Sequence, residues 1–243
     1  MGVFGELPLP FMSSRWITFF AVAEEARPFL QRRLASGDGY TPLTPPVRGA
    51  KGWRVGNGDI WVTGMGARNA AAVAEAVVQA DAVDWVLTCG FAGGLDPDLT
   101  VGTIVADLDP WHPLPFASAP GLRRGVFHLA SQVAVTAEAK AKLRASTGAD
   151  AVDMESAVIR DLCGARGVPS GTVRVISDAA GEDLPLDFGA LMTPDQRIDV
   201  PRLMGVLARS PGKIIRLIRF SRMLGKASAK LARALDDEIR RGA

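Results

Sequence analysis

Histidine and cysteine are scarce in this 243-residue chain, and their scarcity removes several chemistries at once. The two histidines, His112 and His128, stand apart, one in a proline-studded loop and one in an extended apolar stretch. Neither has a second histidine or cysteine at ligand spacing, so no resident metal is expected. The two cysteines, Cys89 and Cys163, lie in apolar surroundings and form no CxxC pair. That reads as buried, reduced thiols of a cytoplasmic protein, with no disulfide framework. No serine stands in a GxSxG elbow, which leaves a serine-hydrolase triad unsupported. No apolar run approaches the ~20 residues that a membrane-spanning helix needs. The first fifteen residues lack a basic start and carry Glu6 and two prolines. They are read as a disordered or loosely attached tail, not a secretory signal.

What is present points to one large core. Nearly half the residues are hydrophobic (48%), enough for residues 16–243 to fold as a single domain. Apolar runs at Trp16–Val22, Trp85–Cys89, Thr103–Asp107 and Thr172–Ile176 read as strands, and Trp53–Val55 with Ile60–Thr63 reads as a hairpin. Helical spacing is found over Glu24–Leu34, about Asn69–Gln79 and Ala137–Ser146. The stretch GDGYTPLTPPVRGAKG reads as a loop, and Val126–Val135 as extended. Strands alternating with helices predict an α/β fold with a largely parallel or mixed sheet. The net charge of +2 hides an asymmetry. From Arg197 onward twelve Lys/Arg face four acids, so the rest of the chain is mildly acidic.

Two acids on neighbouring elements draw attention. Ala151–Arg160 reads AVDMESAVIR, with Glu155 beside Met154 at the opening of an amphipathic helix. The plain reading makes Asp153 a helix cap and Glu155 a first-turn acid. The functional one places Glu155 at a strand end, where a carboxylate can accept two hydrogen bonds from a vicinal diol. Asp178 closes the apolar run VRVIS, next to Ser177. Partial burial would keep it protonated for donation; otherwise it is a turn aspartate. One acid to grip sugar hydroxyls and one to protonate a leaving group are what glycosidic cleavage needs. Gly90-Phe91-Ala92-Gly93-Gly94 offers either a cradle of backbone N–H groups or a glycine-rich turn. Gly64-Met65-Gly66 resembles a dinucleotide fingerprint, but the following strand ends in Thr88-Cys89-Gly90 with no ribose-binding acid, so a nicotinamide cofactor is rejected. No cofactor is expected.

Taken together, FAVAEEARPF, TGMGARNAAA, TCGFAGGLDPDLTVGTIVADLD, AVDMESAVI and RVISD resemble the purine nucleoside phosphorylase / methylthioadenosine nucleosidase superfamily, over about Ile17–Leu191. The resemblance implies a three-layer α/β/α structure around a mixed sheet, and a homo-oligomer. It implies that Glu155, beside Met154, binds ribose hydroxyls and that Asp178 protonates the purine at N7. It places Glu25, with Glu24 as second choice, as the acid that positions an attacking water. Three departures stand out. Thr88 occupies the place of an arginine that phosphorylases of the bacterial hexameric type use for phosphate, which favours water as nucleophile. Phe91 replaces a small hydroxyl residue and would fill space near the ribose. Gln132–Val135 offers no ring to stack on the base.

TGADAVDMESAVI together with the basic tail looks most like the hopanoid-associated nucleosidase/phosphorylase branch, which implies an adenosylated hopanoid as substrate. From about residue 197 to 243 the tail interleaves Ile214, Ile215, Leu217, Ile218 and Phe220 with Arg216, Arg219 and Arg222. Such a helix either lies on an anionic membrane surface or packs on the body with a solvated basic face. Phe220 is its only aromatic, so nucleic acid is not an expected partner. The readings are therefore hydrolysis of a purine nucleoside, a 5′-substituted adenosine; phosphorolysis, with Arg68 or Arg174 as the cation; or nucleoside or lipid binding without turnover.

Overall fold

A computed structural model describes residues 14–79, 82–116, 121–191, 193, 199–209 and 211–242. Ten strands form one mixed sheet with helices on both faces, the α/β/α architecture expected. Along the chain come β1 (Trp16–Phe20), α1 (Ala23–Ala35), β2 (Tyr40–Leu43), β3 (Lys51–Val55), β4 (Gly58–Val62), α2 (Ala67–Val77) and β5 (Trp85–Gly94). After them follow β6 (Ile104–Leu108), β7 (Leu122–Arg124), β8 (Phe127–Leu129), α3 (Ala137–Thr147), β9 (Ala151–Asp153), α4 (Ser156–Ala165), β10 (Ser170–Asp178), α5 (Val200–Arg209) and α6 (Pro211–Gly242). The order across the sheet is β2-β3-β4-β1-β5-β10-β6-β7, with β9 paired to the end of β5 and β8 to β9.

The centre of the sheet is the parallel set β4-β1-β5-β10. Both faces of these strands are covered, which is why they read as nearly unbroken apolar runs. In β1, Trp16 and Phe20 face α1 and α6, meeting Phe29, Leu231 and Leu235. Ile17 and Phe19 point the other way, toward Val73 of α2 and Ile159 of α4. This period-two alternation assigns each side chain to one of two cores. The C-terminal half of α6 belongs to the first core and is tied to α1 by the buried pair Arg33–Asp236 at 3.3 Å. Because the four central strands run the same way, their carboxyl ends gather at one edge, beside the N-termini of α1, α2 and α4.

The structure corrects four local expectations. Tyr40–Leu43, inside the predicted loop, is an edge strand paired antiparallel to β3. Edge position is where a proline such as Pro42 is tolerated. The glycine-rich segment is no turn: β5 runs through it to Gly94, pairing with β10 and β9. Only Phe127–Leu129 of the extended stretch forms a strand. Arg15, assigned to the loose tail, is held by Asp59 (2.8 Å) and by Asp84, which accepts its backbone N–H. Residues 1–13 lie outside the described residues.

Candidate active site

At the gathered strand ends a single guanidinium is buried among carboxylates. Arg174 sits in β10 between Val173 and Val175 and is 2% exposed. Its Nη2 contacts Asp153 at 2.6 Å and Glu155 at 3.5 Å, and its Nη1 donates to the Phe91 carbonyl at 3.3 Å. Its Nε has no hydrogen-bond partner. A buried charge of this kind persists only with partners close by. The register of the sheet opposes Arg174 to Gly90, and the absence of a side chain there makes room for the cluster. Gly90 adopts φ +138, and a Cβ on it would come within 2.5 Å of the Glu25 carboxylate and 2.9 Å of Arg174 Nη1.

Glu25 is held from below by backbone. It lies in the first turn of α1, and its Oε2 accepts the N–H groups of Ala21 (3.0 Å) and Val22 (3.1 Å). Its Oε1 accepts the Phe91 N–H at 2.8 Å. Burial pushes its pKa above the ordinary carboxylate value, opposed by Arg174 and by these three N–H donors. Glu24, the alternative, is exposed, so helix phase alone separates the two. Glu155 precedes α4 and turns its side chain away from the helix, with Oε1 accepting the Gly66 N–H at 2.7 Å. The cap is supplied by Asp153, which accepts from the Ser156 N–H and hydroxyl. Burial is the main cause that raises the Glu155 pKa to about 7; Asp153 adds to it and Arg174 opposes it. The Gly64–Gly66 turn thus serves to grip a carboxylate.

Asp178 is buried, as expected, but its neighbours are polar. The Ser177 hydroxyl donates to the Ala92 carbonyl at 3.1 Å, and its Oγ lies 2.5 Å from Asp178 Oδ1. The Lys140 ammonium of α3 lies 2.5 Å from its Oδ2. Gly93 lies opposite Asp178 in β5; a Cβ there would stand 3.4 Å from Asp178 Oδ2. Met154 is partly buried.

The structure therefore brings together Glu25, Glu155, Asp178, Ser177, Ala92 and Gly93, with Met154 alongside. Phe91 takes part through its backbone, while its ring packs on the core shared by α1 and α6. Thr88 is fully buried and bonded to Thr172 (3.1 Å). Arg68 is exposed. Sequence reasoning saw Arg174 only as a cation for phosphate, although a charge inside VRVIS was a signal of its central place. Lys140 was missed: a lysine in a helix that also carries Lys142 and Arg144 has nothing to set it apart.

A surface cavity of about 680 Å³ lies away from these residues, bounded by Asp107, Asp109, His112 and Arg124. Two of its acids are already bound to Arg160, at 2.5 and 2.7 Å. Burial holds the Cys89 thiol protonated by raising its pKa. Among the described residues no His, Cys, Asp and Glu side chains group as metal ligands.

A family model described as the phosphorylase superfamily matches residues 24–106 and 116–198, which contain Glu25, Lys140, Asp153, Glu155, Arg174 and Asp178. The chain belongs to the phosphorylase superfamily. It is 27% identical over 169 residues to the aminodeoxyfutalosine nucleosidase of Campylobacter jejuni, covering 55% of this chain and 73% of that protein. It is 28% identical over 171 residues to the 5′-methylthioadenosine/S-adenosylhomocysteine nucleosidase of Glaesserella parasuis, covering 56% and 74%. The fold matches two Helicobacter pylori proteins at 21% identity. The first is a futalosine hydrolase (TM-score 0.64), and the second a 5′-methylthioadenosine/S-adenosylhomocysteine nucleosidase bound to butyl-thio-DADMe-Immucillin-A (TM-score 0.65). Each match covers 95% of this chain and 99% of the other. Membership of this superfamily makes the chain an enzyme of nucleosidase or phosphorylase type.

The raised Glu155 pKa has a measurable sign. An unperturbed glutamate titrates near 4.5, so between about 4.5 and 7 the folded chain holds a proton that the unfolded chain releases. Ionising Glu155 therefore costs stability as pH rises through that window. Thermal unfolding followed between about pH 5 and 8 should show a falling melting temperature, and Glu155→Gln should flatten the fall. A slope unchanged in Glu155→Gln would show that the burden lies elsewhere.

Proposed function

We propose that this superfamily member hydrolyses the N-glycosidic bond of a purine nucleoside, with water as the nucleophile. The observation that carries this choice is the charge balance around Arg174. Its guanidinium already faces Asp153 and Glu155, and Glu25 shares the cluster. A phosphate dianion entering there would meet acids on every side, whereas neutral water meets acceptors for its protons. Thr88, buried and bonded to Thr172, adds no cation.

Each acid has one task in this reading. Glu155, pinned through one oxygen by Gly66, accepts hydrogen bonds from ribose O2′ and O3′. Asp178 gives its proton to N7 of the base as the C1′–N9 bond breaks, and positive charge grows on the sugar as in other glycosidic cleavages. Glu25, immobilised by three backbone donors, holds the water and takes its proton when it adds to C1′. Phe91 packs against the core shared by α1 and α6, which supports turnover over mere binding.

A 5′-substituted adenosine with a long apolar chain, such as an adenosylated hopanoid, fits the rest of the molecule. Ten residues beyond Asp178, the ring of Phe188 stacks on Phe220 of α6 with centroids 6.0 Å apart. Close by in sequence, Ile214, Ile215 and Ile218 are exposed on the same helix, as are Val200 and Met204 of α5. Arg216, Arg219 and Arg222 are exposed between and beyond the isoleucines. Apolar side chains set among arginines suit an anionic lipid surface, each base adding about 1 kcal/mol near it. No described helix is long and apolar enough to cross a membrane. Contact with lipid would accordingly be peripheral.

Replacing Asp178 by Asn should cut adenine release by about 10²–10⁴-fold while the protein stays folded. Adenine release by Asp178→Asn at the wild-type rate would sink the assignment. The tail is tested separately by sedimentation with vesicles. Binding is expected with phosphatidylglycerol vesicles and lost with phosphatidylcholine or with Arg216, Arg219 and Arg222 changed to Glu. Equal binding to both lipids, or none, refutes the membrane contact.

A further inference from the structure

Lys140 is the one buried cation at the acid end of the site among the described residues, and its surroundings are unusual for a helix lysine. Its side chain is fully buried. Its three ammonium protons meet three acceptors: the carbonyls of Ala179 (2.8 Å) and Glu182 (2.7 Å), and Asp178 Oδ2 (2.5 Å). A pin for the 179–182 turn needs only neutral donors to the two carbonyls. Burying an ammonium for that purpose would carry a desolvation cost with no return. The third contact, on the carboxyl that gives up a proton, supplies the reason for a charge.

We infer that Lys140 is a positioning residue for leaving-group protonation: it fixes Asp178 at the strand end and stabilises the negative charge that Asp178 acquires as its proton moves to the base. This rests on the nucleosidase reading above. The step balances without further reagents. The C1′–N9 bond breaks with its electron pair going to the base. The Asp178 proton moves to N7, and adenine leaves as a neutral 7H tautomer. Asp178 is left as a carboxylate facing the Lys140 ammonium, which keeps all three of its protons throughout. Water adds to C1′ and loses a proton to Glu25, and solvent exchange returns one to Asp178. Stabilisation confined to charge that develops in the transition state raises kcat more than it changes KM.

Two substrates with the same 5′-substituted ribose separate this role from a structural one. Adenine departs only with protonation at N7, whereas 4-nitrophenolate departs from the corresponding 4-nitrophenyl riboside as a stable anion. Lys140→Gln keeps N–H donors for the two carbonyls and removes the charge, and Lys140→Met removes both. Because both substrates report on the same folded molecules, the ratio of their kcat values is independent of how much of a variant folds. Both variants should lose about 10²-fold on adenine release relative to nitrophenol release, with KM for the nucleoside nearly unchanged. In an Asp178→Asn background, Lys140→Gln should cost nothing further on adenine release. Equal losses on the two substrates, an unchanged ratio, or full multiplication of the Lys140 and Asp178 effects would overturn the inference. Wild-type protein that releases no adenine is a separate result: it overturns the nucleosidase reading, and this inference with it.

Discussion

The site depends on one guanidinium placed within the valine run of a central strand. Arg174 lies between Val173 and Val175 in the centre of the sheet, and nearby carboxylates with the Phe91 carbonyl make that burial tolerable. Its partners come from two separate parts of the chain: Asp153 and Glu155 from the link between β9 and α4, and Glu25 from the first turn of α1. Bringing them together requires β10 against β5 in the observed register, and a glycine at position 90 so that the cluster has room. The ion cluster and the parallel sheet are therefore two descriptions of one constraint. Removing Arg174 would leave Asp153, Glu155 and Glu25 as uncompensated buried acids.

Backbone does most of the holding. Three N–H groups fix Glu25, one fixes Glu155, and the Phe91 and Ala92 carbonyls take donors from Arg174 and Ser177. Main-chain groups at strand ends and helix starts are rigid, so Glu25 and Glu155 keep their geometry largely through backbone contacts. The cost appears in the titration of the acids, whose proton affinity rises on burial. A site rich in carboxylates and poor in free cations suits a neutral nucleophile and a diol, and it disfavours an anion such as phosphate.

Much of this was legible in the residues. The parallel strands announced themselves as apolar runs because both faces are buried, and Asp178 and Glu155 could be placed at strand ends for the same reason. The misses share a cause: they turn on partners distant in sequence. Tyr40–Leu43 reads as a loop from its glycines and prolines and becomes a strand only because β3 lies beside it. The glycines after Cys89 resemble a turn, yet they continue β5 because β10 and β9 pair with them, and at Gly90 the Glu25 carboxylate leaves no space for a side chain. Glu24 and Glu25 are equivalent by composition and are separated by which one the helix turns inward. Phe91 suggested a blocked pocket, but strand alternation sends its ring into the core. Lys140 shows no local mark, since its meaning comes from Asp178, 38 positions further along the chain.

The charge balance of the cluster favours water over phosphate as the group that completes the reaction. The most direct measurement is the identity of the sugar product formed from a 5′-substituted adenosine in buffer with and without inorganic phosphate. The expected product is the free 5′-substituted ribose, formed at the same rate in both. A 5′-substituted ribose 1-phosphate whose formation rises with phosphate concentration would contradict it.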